Sequence, residues 1–189
     1  MDSTVFGEGE GTLKSGWMIT NDKDTHRKIA SILRSQGVRL CNPVGQYDLT
    51  SDILEVLESP DFNYITDVLV KADEKGRYQA ILLGGREQIT YEPLGKHVTF
   101  HVVFLCSIVR GAGAELMEQV KSRLSPPLRS ITLEPVEDIK EKGYYYKFGF
   151  KHIPNKSPTM IWYPGITGGR RRRRRTHRRR SQTHKLKFR

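Results

Sequence analysis

The residues of this chain best placed to do chemistry are Gly111 and Gly113. They stand where an apolar run ending near Ile108 gives way to an amphipathic one from about Ala112 to Leu124. Glycine leaves the backbone uncovered at a helix start, so free N–H groups and the positive end of the helix dipole converge beyond the strand. Such a point suits an anion, and phosphate above all, because a Cβ there would block close approach. The run in front carries His97 and His101, and Glu134 follows the strand candidate Ile131–Leu133. Each of the three can take a proton from a nucleophile, directly or through water.

A second device lies at the C-terminus. Arg170, Arg171, Arg172, Arg173, Arg174, Arg175, Arg178, Arg179 and Arg180 put nine arginines in eleven residues, behind the hinge Ile166-Thr167-Gly168-Gly169. Self-repulsion and the lack of apolar side chains predict that this tail is disordered on its own. It suits nucleic acid or another polyanion, DNA, RNA or acidic protein, and it also fits a nuclear-import address. Counterion release makes its binding to nucleic acid salt-dependent and blind to sequence. The net charge of +11 is mostly this tail. Residues 170–189 hold twelve of the 32 basic residues, which leaves residues 1–169 with twenty against all 21 acidic ones.

The elements that must hold the glycines follow in a consistent order. Residues 1–15, rich in Gly and Glu, are expected to form a flexible lead-in, and Gly16–Thr20 a short strand. Asp22 or Asp24 caps a helix with Ile29, Ile32 and Leu33 at i, i+3 and i+4, ending near Gly37. Thr50-Ser51-Asp52 opens a second, shorter helix that Pro60 closes, with a loop over 41–49 between the two. Residues 64–70 and 78–83 then alternate as the strands of a hairpin around Asp73–Gly76, with a bulge or break at Gly84 and Gly85. Residues 96–108 read as a central strand, apolar on both faces. Leu116, Met117, Val120 and Leu124 form one stripe of the next helix, which Pro126-Pro127 stops. A strand at 131–133, a helix from about Val136 to Lys147 and a last strand at 160–163 complete the order.

That order predicts an α/β fold, a mixed sheet with helices on both faces, spanning residues 16–164. Residues 165–189 form the tail. The length allows one domain with a sizeable core. Cys41 and Cys106 are too few for a disulfide scaffold and have no metal-ligand spacing, so a reduced, intracellular setting is expected and no metal. No apolar run approaches the ~20 residues of a membrane span, and the start is not a signal peptide.

Two motifs bring these elements together. Arg110-Gly111-Ala112-Gly113-Ala114 after the central strand resembles the pyrophosphate loop of the GNAT superfamily, the acyl-CoA-dependent N-acetyltransferases. Tyr145-Tyr146-Lys147-Phe148-Gly149-Phe150 resembles that family's late Tyr-x-x-x-Gly-Phe signature. The resemblance covers about residues 16–164 and implies a centrally splayed sheet that takes acetyl-CoA. It assigns the cofactor to Leu105 and Ser107 on the strand and to Val109, Arg110, Gly111, Ala112, Gly113 and Ala114 in the loop. It makes Tyr145 the general acid toward the departing sulfur. His101, His97 and Glu134 remain alternative bases.

The expected activity is acetyl transfer to a primary amine, whether a polyamine, a peptide N-terminus or a lysine, by an enzyme tethered through its tail. Asp48, Asp52, Glu55 and Glu58 near the second helix are either its solvated face or an attraction for a cationic amine. The alternative is a catalytically idle module of the same fold in a nucleoprotein particle or virion. The tail is also similar in composition to those of large DNA virus proteins. A nuclear or nucleoprotein-associated location is expected.

Overall fold

The computed structural model describes residues 4–9, 11–37, 39–41, 49–136, 143–156 and 158–165. The arginine tail from Arg170 to Arg180 and Asp48 lie outside the described residues, as does most of the loop after Cys41.

Seven strands form one sheet in the order β1-β2-β3-β4-β5-β7-β6. They are β1 (Gly16–Ile19), β2 (Asp67–Ala72), β3 (Tyr78–Tyr91), β4 (Gly95–Ser107), β5 (Leu128–Leu133), β6 (Lys151–His152) and β7 (Met160–Trp162). Every neighbouring pair is antiparallel except β4 and β5, which are parallel. A parallel pair needs a crossover, and α3 (Ala112–Ser122) supplies it. The fold is the mixed α/β sheet with helices on both faces that the element order predicts.

Helices α1 (Lys23–Ser35) and α2 (Thr50–Glu58) cover one face. Asp22 caps α1 by accepting from the N–H groups of Asp24 and Thr25, and the Thr25 hydroxyl, together with these bonds, holds its carboxyl below the usual range. Ile29, Leu33, Ile53 and Leu57 pack there with Val68, Val70, Ile81 and Leu83. On the other face Leu116, Met117 and Val120 of α3 meet Trp17, Leu69, Leu82, Phe100 and Leu133. Among the described residues no helix is long and apolar enough to cross a membrane.

Three expectations change. The lead-in is part of the folded unit from residue 4: Val5 and Leu13 are buried, and the Leu13 N–H donates to the Gly76 carbonyl across 3.0 Å. Gln36 fastens this segment to the sheet, donating to the carbonyls of Gly11 and Gly76 and accepting from the Tyr78 N–H. Val5 and Leu13, with Phe6 packed beside them, anchor it. Next, Cys41 and Cys106 form a disulfide with Cα atoms 4.8 Å apart, although 65 residues separate them in sequence. The fold brings the start of the 41–49 loop against β4, so the two thiols are not free. Finally, of the helix expected over 136–147, the described part is a single 3-10 turn, Tyr145–Phe148, and residues 137–142 lie outside the description. Gly149, at φ 83°, ends that turn.

Gly84 and Gly85 do not break β3, which runs through them with the register shift between Leu83 and Gly84. A Cβ on Gly85 would run into the Tyr64 carbonyl, and one on Gly84 into the Phe100 ring. Their role is close approach of chains.

Candidate active site

Strand β4 is 13 residues long and β5 only six, and this mismatch opens the site. Residues 98–102 of β4 pair with β5, and 104–107 pair with β3 alone, Val103 being the extra residue at the register shift. Beyond Val102 one edge of β4 has no strand partner among the described residues. Leu105 and Ser107 lie on that free stretch, where a ligand can meet main-chain donors and acceptors as a strand would.

The stretch runs into the start of α3. Gly111 is the N-cap at φ 89°, a left-handed conformation that a side chain makes costly. The Ala112 N–H donates to the Val109 carbonyl across 3.1 Å and that of Glu115 to Gly111 at the same distance. Among the described residues, the N–H groups of Val109, Arg110, Gly111, Gly113 and Ala114 donate to no carbonyl. These N–H groups cluster at the positive end of an eleven-residue helix. Val109, Arg110 and Gly111 are exposed, and Ala114 is half-buried.

Gly113 is packed between helix and sheet. It is buried, and an added Cβ would meet Ser107 Oγ at 3.4 Å and Leu105 Cδ1 at 3.5 Å. Its smallness seats α3 on β4, whereas Gly111 has open space around it and is required for its backbone angle. Glu115 in the first turn of α3 pairs with Lys71 from β2. The lysine offsets a carboxylate that would otherwise compete with an anion for the helix end.

The proton-handling groups lie where β4 still pairs with β5. His101 is opposite Gly85 on β3 and Thr132 on β5. Its Nδ1 lies 3.1 Å from Thr132 Oγ1 and 3.2 Å from Glu87 Oε1, and the side chain is 27% exposed. His97 is buried, with Nε2 2.8 Å from Ser130 Oγ and Nδ1 2.9 Å from the Gly95 carbonyl, so both nitrogens are committed. Glu134 accepts from Thr159 Oγ1 across 3.0 Å, and no described contact joins it to His101. Of the three candidate bases, His101 alone combines a partly exposed ring with a carboxylate at one nitrogen.

Tyr145 opens the 3-10 turn on the connection that follows β5. Its ring meets those of Tyr144 at 5.1 Å and Phe150 at 5.9 Å, edge to face. Burial, with Tyr144 adding to it, pushes its phenol up to about 12, so it stays protonated through the neutral range. Among the described residues its hydroxyl has no hydrogen-bond partner. Lys121 holds this turn, donating to the Phe148 carbonyl across 2.9 Å.

The structure thus gathers His101, Leu105, Ser107 and the loop from Val109 to Ala114 along one continuous segment beside the gap. Tyr145 belongs to the neighbouring cluster, packed against the α3 face of the sheet. Glu87, Thr132 and Lys121 were not legible as site residues. Glu87 reaches His101 only through the register of the β3–β4 hairpin, and its local pattern is that of a solvated strand end.

In fold the chain is similar to Tetrahymena GCN5, with a TM-score of 0.51 at 20% identity, covering 80% of this chain and 96% of that one. It is also similar to AtaT complexed with acetyl-methionyl-tRNAfMet, with a TM-score of 0.54 at 9% identity, covering 79% and 95%. No family model and no curated protein matches the chain.

Proposed function

We propose that this chain is an N-acetyltransferase that moves an acetyl group from acetyl-CoA to a primary amine. The observation that carries the reading is the gap beside β4, which ends at a group of N–H donors without carbonyl partners around the start of α3. A gap lined by strand backbone takes an amide-bearing arm, and the donors at its end take a diphosphate. Both features belong to CoA. The fold shared with GCN5 and with AtaT in its acetyl-methionyl-tRNAfMet complex supports the same reading.

Acetyl-CoA supplies the activated acyl group, and the side chains manage the protons. His101 takes the proton that the amine loses as its nitrogen bonds to the acyl carbon. Tyr145 gives its phenolic proton to the sulfur as the carbon–sulfur bond breaks. The products are an amide and a free thiol, and charge balances when solvent returns the proton from His101 to Tyr145. The acceptor is a polyamine, a peptide N-terminus or a lysine. Asp52 and Glu55 of α2 are exposed and free to attract a cation, whereas Glu58 is taken by Arg34 at 2.8 Å. The arginine tail tethers the enzyme to nucleic acid or another polyanion in a nuclear or particle-associated setting.

A second reading is an idle module of the same fold, favoured by the carboxylate of Glu115 in the first turn of α3. Calorimetric titration with acetyl-CoA separates the two: saturable binding supports the enzyme, and no heat at millimolar cofactor leaves only the idle module. A thiol-release assay over polyamines, peptide N-termini and lysine peptides then identifies the acceptor. Deleting residues 170–189 is expected to abolish salt-sensitive DNA or RNA binding and leave cofactor affinity intact; binding retained by the truncated chain moves that surface into the domain.

A further inference from the structure

Two polar side chains from the strands on either side of β4 converge on one imidazole nitrogen. Glu87 comes from β3, Thr132 from β5, and His101 stands between them on β4. Glu87 Oε1 is 3.2 Å and Thr132 Oγ1 3.1 Å from Nδ1, and the two oxygens are 3.4 Å from each other. A carboxylate can only accept, so the Thr132 hydroxyl turns its hydrogen toward Glu87. That leaves Thr132 facing Nδ1 with a lone pair. Both neighbours of Nδ1 are then acceptors, and Nδ1 must carry the hydrogen. A neutral imidazole has one N–H, so Nε2 holds the lone pair.

We propose that Glu87 is the positioning residue of this site, fixing His101 in the tautomer whose Nε2 accepts the proton of the acceptor amine. The inference rests on the acetyl-transfer reading and adds to it a residue outside the β4–α3 segment. Among the described residues Nε2 has no partner, and the ring is partly exposed two residues before the point where β4 loses β5. Glu87 is itself 49% exposed, so it acts on the ring without being a core residue. Thr132 is buried, with Thr99 Oγ1 3.4 Å away and Ser130 Oγ a further 2.9 Å on. This row of hydroxyls holds Thr132 in place and so holds the geometry.

Nitrogen-15 shifts of His101 in the full chain, read at a pH where the ring is neutral, report which nitrogen is protonated. The wild type is expected to show the hydrogen on Nδ1. Glu87→Ala frees the Thr132 hydroxyl to donate to Nδ1 and is expected to move the hydrogen to Nε2. It should lower kcat by about tenfold or more, with KM for acetyl-CoA unchanged, because only the base is disabled. Glu87→Asp restores the wild-type signature and part of the rate. A wild-type ring protonated on Nε2, or a Glu87→Ala variant that keeps the Nδ1 hydrogen or full kcat, overturns the proposal. A wild-type chain with no turnover on any amine removes the acetyl-transfer reading and the base role together, while the shifts still decide the Glu87–His101 pairing.

Discussion

The Nζ of Lys121 donates to the carbonyl oxygen of Phe148 across 2.9 Å, tying the last turn of α3 to the turn that presents Tyr145. The same ammonium lies 2.7 Å from Glu118 Oε1 and sits over the rings of Trp162 at 5.1 Å and Phe148 at 5.3 Å. A lysine only 10% exposed is thus satisfied by a carbonyl, a carboxylate and aromatic faces. The two ends of the candidate site, the anion end of α3 and the phenol, are connected through one helix.

Lys121→Met keeps the aliphatic stem and removes the charge. It is expected to destabilise the fold by about 1–3 kcal/mol in urea unfolding, the range for losing a buried charge-assisted bond and its aromatic contacts. It should lower kcat more than it raises KM for acetyl-CoA, because it loosens the Tyr145 turn and leaves the start of α3 alone. A variant as stable as the wild type, with unchanged kcat, would show that the turn holds itself.

Tyr145→Phe has two separable effects. Turnover should fall on the order of 10²-fold, the usual scale for a lost acid. The second effect is a pH effect whose sign follows from burial. The phenol is pushed up to about 12, above the ~10 of an unfolded tyrosine, so the folded state holds its proton more tightly. That contribution to stability is full below pH ~10 and is lost as the pH rises through about 12. The wild type is therefore expected to lose more stability over this window than Tyr145→Phe does. Tyr78, raised by the same cause, accounts for part of what remains in the variant. Parallel denaturation curves across the window would refute the assignment.

Gly111→Ala and Gly113→Ala should part company. The first forces a side chain into φ 89° and is expected to cost about 1–2 kcal/mol and weaken acetyl-CoA binding. The second places a methyl in contact with Ser107 and Leu105 while gaining helix propensity, and should change stability by less than about 1 kcal/mol. Calorimetry and urea unfolding on the pair test this; equal losses would mean that Gly113, too, must stay without a side chain.

Much of this arrangement is local, and local features are legible in a sequence. Asp22 before an i, i+3, i+4 stripe caps α1, and Leu116, Met117 and Val120 do face the sheet. Gly111 is legible because one glycine at a helix start has few other uses. The order of elements, with a helix between β4 and β5, dictates the one parallel pair and so the site of the crossover.

What only the tertiary structure decided depends on register and on pairs distant in the chain. Side chains alternate with period two along a strand, so a single extra residue such as Val103 changes which face everything beyond it occupies. The Glu87–His101 pair lies on the turn side of that bulge and follows from the hairpin's own register, but Thr132 joins it only when β5, 31 residues on, lies alongside. The Cys41–Cys106 disulfide, the buried Val5 and the hold of Lys121 on Phe148 are of the same kind. The sequence by itself determined most of the elements and that a glycine-bearing helix start follows the central strand. The folded sheet decided which hydroxyl joins which carboxylate behind the imidazole, because that group of three exists only when three strands lie side by side.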